Sequence, residues 1–163
     1  MEKAFIKMIN EHRGIIYKVC NLYCLEKEYK KDLFQEIVLQ LWKSFPSFRN
    51  ESQQSTWMYR VALNTAITIF RKESRAPEKR SISDMEFEIP DMDSFVDQTG
   101  HQGLLKQAIE TLTEVEKAII LLYLEEKSYE EISEIVGITR THVGVKINRI
   151  KSKLEKIIKI RPL

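Results

Sequence analysis

Residues 128–149 read SYEEISEIVGITRTHVGVKINR, and this stretch decides the fold. Ser128 followed by Glu131 has the form of a capping box, a hydroxyl N-cap with a carboxylate three residues on. It opens a short helix that must stop at Gly137, because glycine takes the left-handed backbone of a helix end without steric cost. After the turn at Ile138, Thr139 can cap a second helix. Two short helices joined by a turn containing Gly form a helix-turn-helix. Ile132 and Val136 supply the buried side of the first helix, Ser133 is small where the helices cross, and Ile138 plugs the corner. Val143 and Ile147 supply the buried side of the second helix. Its exposed side is then Arg140, Thr141, His142, Gly144, Val145, Lys146, Asn148 and Arg149. That face begins with groups able to reach base edges and ends with cations suited to phosphates. The first helix carries Glu130, Glu131 and Glu134, so it is not the one that enters a groove. The competing reading is a helical hairpin with a solvated charged face. The apolar positions, the Gly at the turn and the basic tail argue against it.

Upstream, Thr113-Glu-Val-Glu116 is another capping box and opens an apolar helix through Leu124. Downstream, the second helix stays amphipathic through Ile150, Leu154 and Ile158. In the N-terminal half, DLFQEIVLQLWKSF places Leu33, Phe34, Ile37, Val38, Leu41, Trp42 and Phe45 in a broad helical stripe. Pro46 ends that helix. Its polar edge carries Asp32, Gln35, Glu36 and Gln40. The stretch 2–24 places Phe5, Ile9, Ile16, Val19 and Tyr23 near helical spacing. Ser52 is a candidate N-cap for a further helix, STWMYRVALNTAITIFRK, in which Arg60, Arg71, Lys72 and Arg75 mix with Trp57 and Tyr59. Basic residues interleaved with aromatic rings suit single-stranded nucleic acid, although Trp57 also has the character of a core residue.

Five Gly and four Pro in 163 residues are too few for a chain rich in tight turns, so the expected class is all-α. Net charge is +2, but its distribution is uneven. Residues 1–75 hold 13 Lys and Arg against 8 acids; residues 81–99 hold six acids and no base; residues 139–161 hold eight bases and one acid. Basic ends suggest a polyanion partner. Pro77, Pro90, Gly100 and Gly103 punctuate the acidic middle. The expected organisation is two small helical domains, 1–75 and 104–163, joined by a flexible acidic linker over 76–103. Ile82, Met85, Phe87, Ile89, Met92 and Phe95 are more apolar residues than a plain tether needs.

No apolar run approaches the roughly 18 residues of a membrane span. Charges interrupt the N-terminus at once, so no signal peptide is expected and the cytoplasm is the expected location. Cys20 and Cys24 lie four apart, a spacing that would strain a disulfide, and are read as small buried apolar groups. His12, His101 and His142 are scattered, so neither a metal nor another cofactor is expected. A DNA-cutting enzyme would need a nucleophile beside clustered Arg, or carboxylates gathered round Mg²⁺. The dense carboxylates here lie in the linker, so no catalytic residue is assigned and the protein is not read as an enzyme.

Taken together, DLFQEIVLQLWKSFPSFRNESQQSTWMYRVALN and LTEVEKAIILLYLEEKSYEEISEIVGITRTHV resemble a bacterial RNA polymerase sigma factor of the extracytoplasmic-function (ECF) group. The resemblance spans essentially the whole chain. It implies a second sigma domain that docks on the β′ clamp helices of core RNA polymerase and reads and melts the minus-ten element of promoter DNA. It implies a fourth sigma domain that binds the β flap and reads the minus-thirty-five element, and an anti-sigma factor as a further partner. Asp32, Gln35 and Glu36 match the family's core-binding helix. Arg49, Trp57, Arg60 and Asn64 match its minus-ten region. Arg140, Thr141, His142 and Lys146 match its minus-thirty-five reader, with Arg149 placed for phosphate. Gln54, Ser55, Leu63 and Thr68 depart from the residues common in the family. The alternative is a two-domain helix-turn-helix regulator that binds DNA without being a polymerase subunit.

Overall fold

The structure is a computed structural model. It describes residues 1–50, 53–75 and 100–160, and at 72–75, 100–102 and 160 it describes the backbone alone. Every element among the described residues is helical, and the elements fall into two compact units.

The first unit holds α1 (Glu2–Glu11), α2 (Arg13–Tyr23), α3 (Lys27–Ser44), a 3-10 turn (Phe45–Ser47) and α4 (Gln54–Arg75). The stretch 2–24 is therefore two helices. His12 leaves helical torsions (φ −122°, ψ 26°), ending α1 and starting α2. Pro46 acts as expected: α3 stops at Ser44, and the Ser47 hydroxyl donates to the Ser44 carbonyl at 2.7 Å. Along α3, Leu33, Ile37 and Leu41 are buried, one turn apart, against α2 and α4. Trp42, expected in that stripe, lies at its margin, 40% exposed, with its ring edge-on to Phe5 at 5.0 Å. Along α4, Met58, Ala62 and Ala66 recur every fourth residue and are fully buried. The two alanines let α4 lie close to α2 and α3. Cys20 and Cys24 are buried free thiols, as read from the sequence. Burial pushes the Cys20 thiol far above its ordinary range, and neighbouring Cys24 adds to the shift. Ser52 and the apolar linker residues 82–95 lie outside the described residues.

The second unit holds α5 (Gly100–Glu110), α6 (Glu114–Leu124), α7 (Tyr129–Val136) and α8 (Arg140–Ile160). Residues 100–103, read from the sequence as the end of the linker, form the first turn of α5. Ile119, Leu122, Ile132, Val143, Ile147 and Ile150 make its core, each essentially without solvent contact. Ile135 is buried on α7 where Val136 was expected; Val136 is half-buried. With Ile132 fixed inward, a residue three along turns inward much as one four along does.

The Thr113 capping box is complete. The Glu116 N–H donates to Thr113 Oγ1 at 3.2 Å, and the Thr113 N–H donates to Glu116 Oε1 at 3.1 Å. The other carboxylate oxygen, Oε2, accepts from Lys153 Nζ of α8 at 2.8 Å. One buried carboxylate thus starts α6 and ties it to α8. The Ser128 box is only half formed. The Glu131 N–H donates to Ser128 Oγ at 3.1 Å, but the Glu131 carboxylate takes the Ser128 hydroxyl and faces Lys127 Nζ at 3.7 Å instead of returning to the Ser128 N–H. α6 ends in a Schellman motif: the Lys127 N–H bonds Leu122 O and the Glu126 N–H bonds Tyr123 O, both at 3.0 Å. Glu126 holds the left-handed position (φ 61°) that glycine usually fills.

Two stability predictions follow from this geometry. Burial raises the Glu116 pKa, but hydrogen bonds from Lys153 and Thr113 outweigh it and hold the carboxyl below its ordinary value. A depressed folded-state pKa stabilises above the unfolded pKa and is lost as pH falls through the folded one. Glu116→Gln should therefore cost about 1–3 kcal/mol at neutral pH. Its melting curve should converge on that of the parent as pH falls beneath the ordinary carboxylate range and through the depressed folded-state value. Glu126→Gly should raise stability by about 0.5–1 kcal/mol in urea unfolding, since it removes the left-handed penalty of a residue with a Cβ.

Candidate functional site

The turn between α7 and α8 is built from three adjacent devices. Gly137 takes φ +82°, and its N–H bonds Ser133 O at 2.9 Å. The Ser133 hydroxyl donates to the Ile138 carbonyl. The His142 N–H donates to Thr139 Oγ1 at 3.1 Å, so Thr139 caps α8. Sequence reasoning gave Ser133 only a steric role and missed its hydrogen bond across the turn.

Arg140, Thr141 and His142 are exposed in the first turn of α8, and no acid stands there. A helix start of this kind presents unpaired N–H groups and the positive end of the helix dipole. Asn148 and Arg149 are exposed further along, whereas Lys146 is half-buried. Gly144, expected to be exposed, is half-buried: a Cβ there would lie 3.5 Å from the Tyr129 ring. Lys151 Nζ sits 4.5 Å from the centre of the Tyr123 ring. α8 thus joins an exposed, cationic outer face to a fully apolar inner one.

In the first unit, α4 also has two faces. Opposite Met58, Ala62 and Ala66 lie Asn64 and Arg71, both exposed, and Arg60, half-buried. Arg60 Nε is buried with no hydrogen-bond partner. Arg49 is exposed in the loop before α4. Trp57 is not on that surface: its ring packs 4.7 Å from Phe48 and 6.4 Å from Phe45, and it is buried. Asp32, Gln35 and Glu36 share one face of α3, but they are half-buried rather than fully exposed. Glu36 Oε1 accepts from Gln40 Nε2 at 3.0 Å. Leu39, 43% exposed, sits among them and was missed by the sequence reading. Its spacing of four from Gln35 and three from Glu36 was the available signal. Among the described residues no group of three His, Cys, Asp or Glu side chains could hold a metal ion, and no helix is long and apolar enough to cross a membrane.

A basic helix-turn-helix behind a four-helix unit with a cationic outer face is the layout of a two-region transcription factor. Comparison with known proteins gives that class its family. The sigma-70 region 2 model matches residues 8–76, and the sigma-70 region 4 model matches residues 102–154. The ECF RNA polymerase sigma-E factor of Haemophilus influenzae is 28% identical over 173 aligned residues, covering 99% of this chain and 90% of that protein. The RNA polymerase sigma factor YlaC of Bacillus subtilis is 26% identical over 135 residues, covering 79% of this chain and 77% of YlaC. The solved sigma factor RpoE of Bartonella quintana, in complex with the anti-sigma factor NepR, has the same fold: TM-score 0.71, 17% identity, 98% of this chain and 99% of that one. The chain belongs to the sigma-70 family, in its extracytoplasmic-function group, and it directs transcription initiation.

Proposed function

We propose that this sigma factor binds core RNA polymerase through its first unit and reads a bipartite promoter with both units, in response to a signal. The observation that carries the reading is the presence of sigma-70 regions 2 and 4, in that order, in one 163-residue chain. A DNA-binding regulator outside the polymerase gives no account of the region 2 match. The protein acts as a non-catalytic subunit in the cytoplasm, beside polymerase. Residues 1–75 serve as the second sigma domain and 104–163 as the fourth, with the linker between them ending where α5 begins at Gly100.

In this reading Asp32, Gln35 and Glu36 meet the β′ clamp helices. Support comes from their shared face on a helix whose opposite side is locked into the core. Arg49, Arg60 and Asn64 meet the minus-ten element. Support comes from the shared outer side of α4, where Arg60 lies with exposed Asn64 and Arg71 opposite the buried Met58, Ala62 and Ala66. Trp57 holds the loop and α4 together from beneath. Arg140, Thr141 and His142 meet base edges of the minus-thirty-five element, and Lys146 and Arg149 meet phosphates. The second unit also binds the β flap. An anti-sigma factor is a further partner; the Bartonella quintana relative was solved with one.

Three outcomes test these assignments. The double variant Gln35→Ala, Glu36→Ala should weaken affinity for core polymerase at least tenfold while its circular dichroism stays unchanged. Arg60→Ala and Asn64→Ala should lower permanganate reactivity of the promoter bubble more than they lower polymerase binding. Arg140→Ala should cost about 1–3 kcal/mol and relax preference at one base pair, whereas Lys146→Ala should weaken all promoters alike and flatten the salt dependence by about one phosphate contact. If Arg140→Ala leaves every base preference intact across a library of single-base changes, it is not a reader.

A further inference from the structure

Between Arg140 and Leu154 α8 sorts its apolar residues closely, with Val145 as the exception; beyond that stretch Ile158, expected on the inner stripe, is also exposed. Val143, Ile147 and Ile150 have no solvent contact, whereas Val145 is 41% exposed. Thr141, Val145, Asn148 and Ser152 recur at steps of four, three and four, which places them on one stripe facing away from the core. The rotation of α8 is held from the other side: Gly144 lies under the Tyr129 ring, and Lys153 is tied to Glu116 at 2.8 Å. Val145 therefore cannot turn inward without undoing both contacts. The fold gains nothing from it. A β-branched residue at an exposed helix position is a poorer helix former than alanine, and its methyls stand in water.

Every neighbour of Val145 on the stripe is polar, so it is a single apolar group among hydrogen-bonding ones. In the major groove the bases present one apolar group, the C5 methyl of thymine. We infer that Val145 reads a thymine methyl in the upstream promoter element, one helical turn beyond the base contacted from Thr141. The inference rests on the reading that α8 enters the major groove, and it adds a specificity determinant to that site.

The test uses full-length protein in holoenzyme and promoter duplexes in which each thymine of the minus-thirty-five element is replaced in turn by deoxyuridine, which lacks only the methyl. At one position the replacement should weaken binding of the parent about fourfold, the worth of one buried methyl. Val145→Ala, which favours the helix, should bind the thymine duplex about fourfold less well and show no further loss with deoxyuridine. Its remaining base preferences should match the parent. Indifference of the parent to deoxyuridine at every position overturns the inference, as does a Val145→Ala protein that keeps the full deoxyuridine penalty. If base preferences persist in either case, the groove reading stands and the role of Val145 alone falls. If neither protein prefers any upstream sequence, the groove reading falls with it.

Discussion

A backbone torsion of +82° at Gly137 decides where the basic helix points. α7 must stop and α8 must start within three residues, and the left-handed conformation at Gly137 makes that possible without a clash. The Ser133 hydroxyl and the Thr139 cap then fix the two ends of the turn. From there the packing is determined. Val143 and Ile147 fall inward, Gly144 slides under Tyr129, and Lys153 arrives at the carboxylate of Glu116 more than three turns after the turn closes. A side chain at position 137 would meet no neighbour but would strain the left-handed backbone, as Glu126 does at the end of α6.

The first unit uses a different economy of space. α4 is the shared element: its small inner residues, Ala62 and Ala66, bring it against α2 and α3, while Asn64, Arg60 and Arg71 occupy its other side. Rings fasten its N-terminal end, with Phe48 and Phe45 on Trp57, and Trp42 and Phe45 on Phe5. Aromatic contacts at these separations favour edge and tilted arrangements, which hold a loop without hydrogen bonds. Among the described residues two costs are visible, Asn21 Oδ1 and Arg60 Nε, each a buried polar atom left unpaired where an aliphatic residue would be easier to pack.

Much of this was legible in the chain because caps and periodicity are local. Thr113 with Glu116, Gly137 and Thr139 each mark a helix end by chemistry that acts within four residues. What failed to read was whatever depends on a third partner. Ser128 and Glu131 have the right spacing for a box, but Lys127 and the Ser128 hydroxyl compete for the carboxylate. Ile135 and Val136 are equally apolar, and only α8 decides which is covered. Asp32, Gln35 and Glu36 look like a free edge in one dimension and are half-buried in three. Gly100 and Gly103 read as breakers, yet glycines are tolerated in the opening turn of α5. The roles proposed for the surface residues came from resemblance to a family; periodicity supplied only the faces on which they sit.

Both tryptophans and both cysteines of this chain belong to the unit of α1–α4, as do four of its six tyrosines; only Tyr123 and Tyr129 belong to the other unit. The tryptophan and thiol reporters are therefore confined to the first unit. Tryptophan emission follows the loosening of Trp57 from its ring neighbours. Thiol reagents meet Cys20 only after α2 opens, because the group is both hidden and protonated in the folded state. Far-ultraviolet helicity sums both units. Loss of helicity that precedes or follows the change in tryptophan emission therefore times the second unit against the first, without a label, in a single unfolding experiment.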